Sequence, residues 1–209
     1  MPDWQSKEGG QVKIMVVLGH PNRESFNHAI AMTAVKALQA NGHEVMFHDL
    51  YAEGFDPVLT QEEFAADEVS DAVVKAQCEQ VAGADALVIV HPSWWGQPPA
   101  MMKGWVDRVL RYGVAYTFKE ESGEEIGVGL LTARSALILN TCMTTEEMDR
   151  THYGDPLERL WKTSILGFCG VTEVHRRNFR IVQTVSQAER EAMLEAVSTT
   201  VNELFPAAA

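Results

Sequence analysis

The chain has 209 residues, 46% of them hydrophobic and 22% charged, with 29 acidic against 17 basic side chains and a formal charge of −12. That length can bury one good core and demands no second domain, and the acidic balance opposes nonspecific attraction to nucleic acid or anionic membranes, so a small-molecule ligand fits better. Three cysteines, Cys78, Cys142 and Cys169, are too few and too scattered for a disulfide framework or a Cys-x-x-Cys motif, which makes the reducing cytoplasm the expected compartment.

Residues 1–11 are polar, with no hydrophobic export signal, and are expected to form a flexible tail ahead of a single domain over 12–205. Val12 to Leu18 predicts a central strand, because parallel strands covered on both faces are almost continuously apolar, and the run is far too short to span a bilayer. The loop His20-Pro-Asn-Arg-Glu-Ser-Phe-Asn27 follows, with Ser25 or Asn22 placed to cap a helix whose Ile30, Ala34, Val35 and Leu38 recur at helical spacing and which Asn41-Gly42 stops. A helix N-terminus after the first strand suits a phosphate, although a plain capped turn serves every strand-helix unit equally. His43 to Leu50 reads as a more peripheral second strand, and the odd spacing of His43 and His48 puts them on opposite faces, against a shared metal. Tyr51 to Thr60 is a loop, Thr60 to Glu63 resembles a capping box, and Ser70 to Ala82 predicts an amphipathic helix.

Ala86 to Val90 is the third strand, and it stops abruptly at His91-Pro92, where His91 is expected to hydrogen-bond loop backbone. Trp94 and Trp95 come next, beside Gly96 and a diproline, ahead of a helix over Pro99 to Leu110 that buries Met102, Trp105, Val106, Val109 and Leu110 and turns Asp107, Arg108 and Arg111 elsewhere. Tyr112 to Thr132 is expected to be a solvated loop carrying Glu120, Glu121, Glu124 and Glu125, and Gly127-Val-Gly129 lacks the rest of a dinucleotide fingerprint. A fourth strand, Ala133 to Thr141, leads into a polar loop reaching Asp155. A helix over Leu157 to Phe168, a fifth strand over Val171 to Ile181 and a closing helix over Gln187 to Leu204 complete the chain. Strands alternating with helices imply a doubly wound α/β fold with a five-stranded parallel sheet, in the flavodoxin-like order 2-1-3-4-5. Ligands of such sheets bind outside the carboxyl ends of the strands. There the paired indoles offer a flat apolar wall for a planar conjugated ligand, unless they are ordinary core or interface aromatics. The seven histidines form no His-Glu-x-x-His and no dense cluster with cysteine, so no metal site is expected; no Gly-x-Ser-x-Gly elbow or P-loop supports a hydrolase.

Taken together, Gly19-His-Pro-x-x-x-Ser-Phe-Asn27, Pro92-x-x-Trp95 continuing to Pro99 and Met102-Lys-Gly-Trp105, and Ala115-Tyr-Thr-Phe118 resemble the flavodoxin-like NAD(P)H:quinone oxidoreductases, the DT-diaphorase group, whose bacterial relatives include ancillary proteins of potassium-efflux systems. The resemblance runs from Lys13 to about Gly170. It implies a flavin, FAD ahead of FMN, with NADH or NADPH as reductant and a quinone or similar electrophile as acceptor. By position it gives His20, Ser25, Phe26 and Asn27 to the flavin phosphates and Pro92, Ser93, Trp94 and Trp95 to the flavin ring. Gly96 replaces an aromatic of some relatives, and with Tyr116 and Phe118 it falls to the substrate pocket. Because those aromatics commonly come from a second subunit in the family, a homodimer is implied. In the fourth loop the family often shows Thr-Thr-Gly-Gly where this chain has Asn140-Thr141-Cys142-Met143, and the resemblance gives Asn140, Thr141 and Cys142 to the cofactor. Of the family's tyrosine and histidine that stabilise the reduced flavin's charge, Glu147 takes the tyrosine position and Tyr153 the histidine position with His152 beside it, so His152 and Tyr153 are the expected donors. The resemblance also leaves a regulatory subunit of an ion-efflux transporter, or a flavodoxin-like electron carrier, as alternative roles.

Overall fold

The computed structural model describes residues 10–65 and 69–208. Most of the expected tail, residues 1–9, lies outside them. Five parallel strands form one sheet: β1 (Lys13–Leu18), β2 (Glu44–Asp49), β3 (Ala86–Pro92), β6 (Ser135–Cys142) and β7 (Glu173–Arg180), in the spatial order β2-β1-β3-β6-β7. This is the expected 2-1-3-4-5 arrangement. β1, β3 and β6 are buried almost throughout, which explains their unbroken apolar runs. Alternate side chains feed two cores. One contains Ile14, Val16, Val88, Val90, Leu137 and Leu139 and is covered by α1 (Phe26–Ala40) and α7 (Gln187–Leu204). The other contains Met15, Val17, Leu87, Ile89 and Ile138 and packs on α3 (Ala72–Gly83) and α4 (Ala100–Val109).

Four expectations are corrected. The segment expected as a loop is a β-hairpin, β4 (Tyr116–Glu121) with β5 (Glu124–Gly129), closed by Ser122 and Gly123 at φ 56° and 87°, the left-handed pair that a two-residue hairpin turn requires. Its glutamates are nonetheless exposed. The polar loop after β6 contains a short helix, α5 (Glu146–Thr151), capped by Thr145. Arg108 does not face away from the core but is buried. Its Nε donates to Glu63 Oε2 (2.9 Å), Nη1 to the Asp56 carbonyl (2.6 Å) and Nη2 to Asp71 Oδ2 (3.1 Å), pinning α2 (Gln61–Ala65) and the start of α3 to α4. The helix expected over Leu157 to Phe168 is α6 (Pro156–Arg159), continued by a π-helical turn over Leu160–Ile165.

Candidate functional site

The strand order reverses between β1 and β3, and the loops leaving β1, β3 and β6 open there into a cleft of about 1060 Å³. That is the position for ligands in doubly wound sheets, and the volume sits at the upper end of small-molecule sites. Cross-links hold the loops together: Ser93 N–H donates to the Thr141 carbonyl (2.7 Å), Asn27 Nδ2 to Thr141 Oγ1 (2.8 Å), and Gly19 N–H to the Val90 carbonyl (2.9 Å).

The first loop supplies His20, Ser25, Phe26 and Asn27 to the cleft. Ser25 is the N-cap of α1, its Oγ accepting the His28 N–H (3.1 Å), and no acidic side chain stands in the first turn. Helix geometry leaves the Phe26 and Asn27 N–H groups without intrahelical acceptors, so this end of the cleft carries the positive end of the helix dipole. Burial lowers the pKa of His20, whose ring folds back on Asn22. Arg190 stands at the same end. Its guanidinium lies over the Phe26 ring (5.5 Å) and its Nη2 donates to the Val182 carbonyl (2.6 Å).

The third-strand loop brings Pro92, Ser93, Trp94, Trp95 and Gly96 to the same cleft. Trp94 and Gln97 exchange backbone hydrogen bonds (3.0 and 2.9 Å) around a two-residue turn with Trp95 at φ 55° and Gly96 at 69°. A left-handed tryptophan costs of order 1 kcal/mol, and its indole is fully exposed. The Trp94 indole meets the His20 ring at 6.2 Å, joining the first and third loops.

From the fourth-strand side, Thr141, Cys142, His152 and Tyr153 line the cleft, but Asn140 does not. This corrects its expected cofactor contact. Side chains alternate along a strand, so Asn140 faces the core opposite Thr141, where it is fully buried and bonded to His91 and Arg176. The donors of the loop also differ from each other. Thr151 Oγ1 donates to the Glu147 carbonyl (2.6 Å) and therefore accepts from His152 Nδ1 (2.8 Å), leaving the neutral imidazole an acceptor at Nε2. The Tyr153 phenol, largely exposed, is the neutral donor.

Tyr116 and Phe118 do not line the cleft of their own chain. They form an aromatic group with Tyr112 and Phe168, with Tyr116–Phe118 centroids 5.8 Å apart and Tyr116–Phe168 5.1 Å. Arg108, Arg111, Arg176 and Arg177 likewise stand outside it. Arg190 and Gln183 line it without having been singled out, because nothing in the spacing of a polar loop or a helix start marks them, and Asn22, expected only as a candidate helix cap, lines it too. Among the described residues no cluster of three or more metal-ligand side chains occurs, and no helix is long and apolar enough to cross a membrane.

A flavin fits these residues. Two free helix N–H groups await phosphate oxygens, and the buried Asn27 Oδ1 has no protein partner, as suits an acceptor for a ribityl hydroxyl. Sheet order, switch-point cleft and anion-ready helix define a flavodoxin-like α/β protein. A family model described as Flavodoxin-like fold matches residues 12–203, and the chain belongs to that family. An uncharacterized NAD(P)H oxidoreductase of Haemophilus influenzae is 29% identical over 184 residues, covering 87% of this chain and 90% of the relative. NAD(P)H dehydrogenase (quinone) 1 of Cavia porcellus is 30% identical over 182 residues, covering 76% of this chain but 64% of that longer protein. Among solved structures, an NAD(P)H:quinone oxidoreductase from Methanothermobacter marburgensis superposes with a TM-score of 0.80 at 26% identity, over 93% of this chain and 97% of the other.

Proposed function

We propose that the chain is a flavin-dependent NAD(P)H:quinone oxidoreductase in which NADH or NADPH and then a quinone or similar electrophile occupy one site in turn. The carrying observation is a single cleft with an anion-accepting helix end at one side and an aromatic wall at the other. The relatives named above point the same way. A bound flavin supplies reversible hydride chemistry and becomes more negative along one ring edge on reduction. The chain's residues do the rest. Phe26 and Asn27 N–H groups with the Ser25 turn hold phosphate, Trp94 and Trp95 flank the ring and exclude water, and Tyr153 donates its phenolic proton toward the more negative edge. His152 adds a donor at Nε2 only as an imidazolium. FAD is favoured over FMN by the extension of the cleft to Val182, Gln183 and Arg190. A homodimer brings Tyr116 and Phe118 to the partner's cleft, and three free, buried thiols suit the cytoplasm.

The purified, flavin-loaded protein is expected to oxidise NADH or NADPH when a quinone is present. Replacing the neutral donor, Tyr153→Phe, lowers kcat about tenfold or more while the KM for the reductant stays within about twofold. Absence of turnover with any of several quinones ends the reading. Normal kcat in Y153F removes Tyr153 from it.

A further inference from the structure

A line of buried hydrogen bonds runs beneath the cleft from the turn after β3 to the bend after α5. His91 Nδ1 donates to the Pro92 carbonyl (2.8 Å), which makes Nε2 an acceptor, and two donors converge on it: Trp161 Nε1 (2.9 Å) and Asn140 Nδ2 (3.0 Å). Asn140 Oδ1 accepts from Arg176 Nε (2.8 Å), and Arg176 Nη1 forks onto both carboxylate oxygens of Asp155 (2.8 and 2.9 Å) and reaches Glu158 Oε2 (3.2 Å). His91, Asn140, Arg176 and Asp155 do not line the cleft, whereas Pro92 at one end of the line does, and beside the other end so do Tyr153 and Pro156. The bend between those last two residues is two consecutive left-handed residues, Gly154 at φ 70° and Asp155 at φ 44°. A left-handed aspartate persists only where its surroundings over-determine it, and the Arg176 fork is what grips it.

We propose that His91 is a positioning residue: through Asn140, Arg176 and Asp155 it fixes the Gly154–Asp155 bend against the Pro92–Gln97 turn, and so sets where Tyr153 stands in the cleft. The proposal rests on the redox reading for its catalytic consequence, though not for its mechanical one. A single neutral imidazole serves both sides, offering a donor to the turn and an acceptor to two buried donors. Phenylalanine at that place keeps a flat ring but leaves the Trp161 indole N–H unpaired and Asn140 Nδ2 with only the residue-91 backbone carbonyl (3.2 Å), whereas glutamine keeps an acceptor. Burial pushes the His91 imidazole down to about 4, so the ring stays neutral across the working range.

The test is amide hydrogen exchange on the cofactor-free protein, read separately over residues 92–99 and 143–156. His91→Phe is expected to speed exchange at Tyr153 to Asp155 about tenfold, across the network from the substitution, and Asp155→Asn to speed it at Trp94 to Gln97. His91→Gln returns the pattern most of the way to wild type. In the flavin-loaded enzyme H91F and D155N each lower kcat about tenfold with the KM for the reductant unchanged, and the double variant is no worse than either alone, as for residues acting as one unit. Exchange raised only beside each substitution, or a double variant slowed about a hundredfold, overturns the proposal. If H91F does not fold, D155N decides it alone, because that side chain is at the network's partly exposed end. A wild-type protein without turnover counts against the redox reading, while the exchange result still decides the positioning claim.

Discussion

His91 is fully enclosed, and its depressed pKa ties stability to pH. Between its unfolded value of 6.5 and its folded value of about 4, the unfolded chain binds a proton that the folded chain refuses, so stability present above pH 6.5 is lost as pH falls toward 4. The loss from this one group is about 3 kcal/mol. Denaturation curves at pH 7, 5.5 and 4 are expected to fall less steeply for His91→Gln than for wild type, and parallel curves would show that the buried ring does not govern acid stability. The same residue marks how far sequence reading reaches into the site. A hydrogen bond from His91 to loop backbone was its expected role, and the bond to the Pro92 carbonyl has that form. Its partnership with Asn140 and Trp161 was not legible, because Trp161 lies 70 residues away in the chain. Asn140, Thr141 and Cys142 read alike as a polar strand end, yet the two-residue period of a strand sends Asn140 to the opposite face from Thr141. Arg190 enters the cleft from α7, on a residue type that is usually surface, and no local pattern marks it.

The elements that sequence shows best are those the core shapes. β1, β3 and β6 are apolar because both faces are covered, and the ladder Val16–Val88, Val88–Leu137 confirms the alignment of those runs. The hairpin β4–β5 escaped because most of its residues are exposed, so it lacks the alternating burial that betrays a strand. Helix α5 escaped for the same reason, having no buried residue to set a helical period. Arg108 shows the opposite failure: a charge in a helical pattern reads as solvent-facing, and only the partners brought by α2 and α3 make its burial tolerable. Close packing between elements gives a direct test. At Gly104 of α4 an added Cβ would run into the backbone of Pro57, in the loop that leads to α2. Gly104→Ala is expected to cost about 1–3 kcal/mol of unfolding free energy in a urea titration. Wild-type stability would mean that this loop does not press on α4.

At the scale of the whole molecule, the exposed aromatics are unevenly placed. Tyr112 and Phe118 remain open to solvent around the hairpin, stacked at 6.3 Å, apart from the cleft that the resemblance assigns to Tyr116 and Phe118. In the homodimer proposed above, a second copy of the chain carries these rings to its partner's cleft. Sedimentation is expected to give a species of twice 23.2 kDa, and Phe118→Glu to shift it toward the single chain and lower turnover together. A monomeric wild-type enzyme with full turnover would contradict this. The proposed redox role rests on the cofactor, and the most direct measurement is the absorbance spectrum of the purified protein before and after NADH or NADPH, then after a quinone, with chromatography of the released cofactor. A flavin spectrum that the reductant bleaches and the quinone restores, with FAD in the chromatogram, is the predicted result. A colourless protein that takes up no added flavin would contradict the central claim.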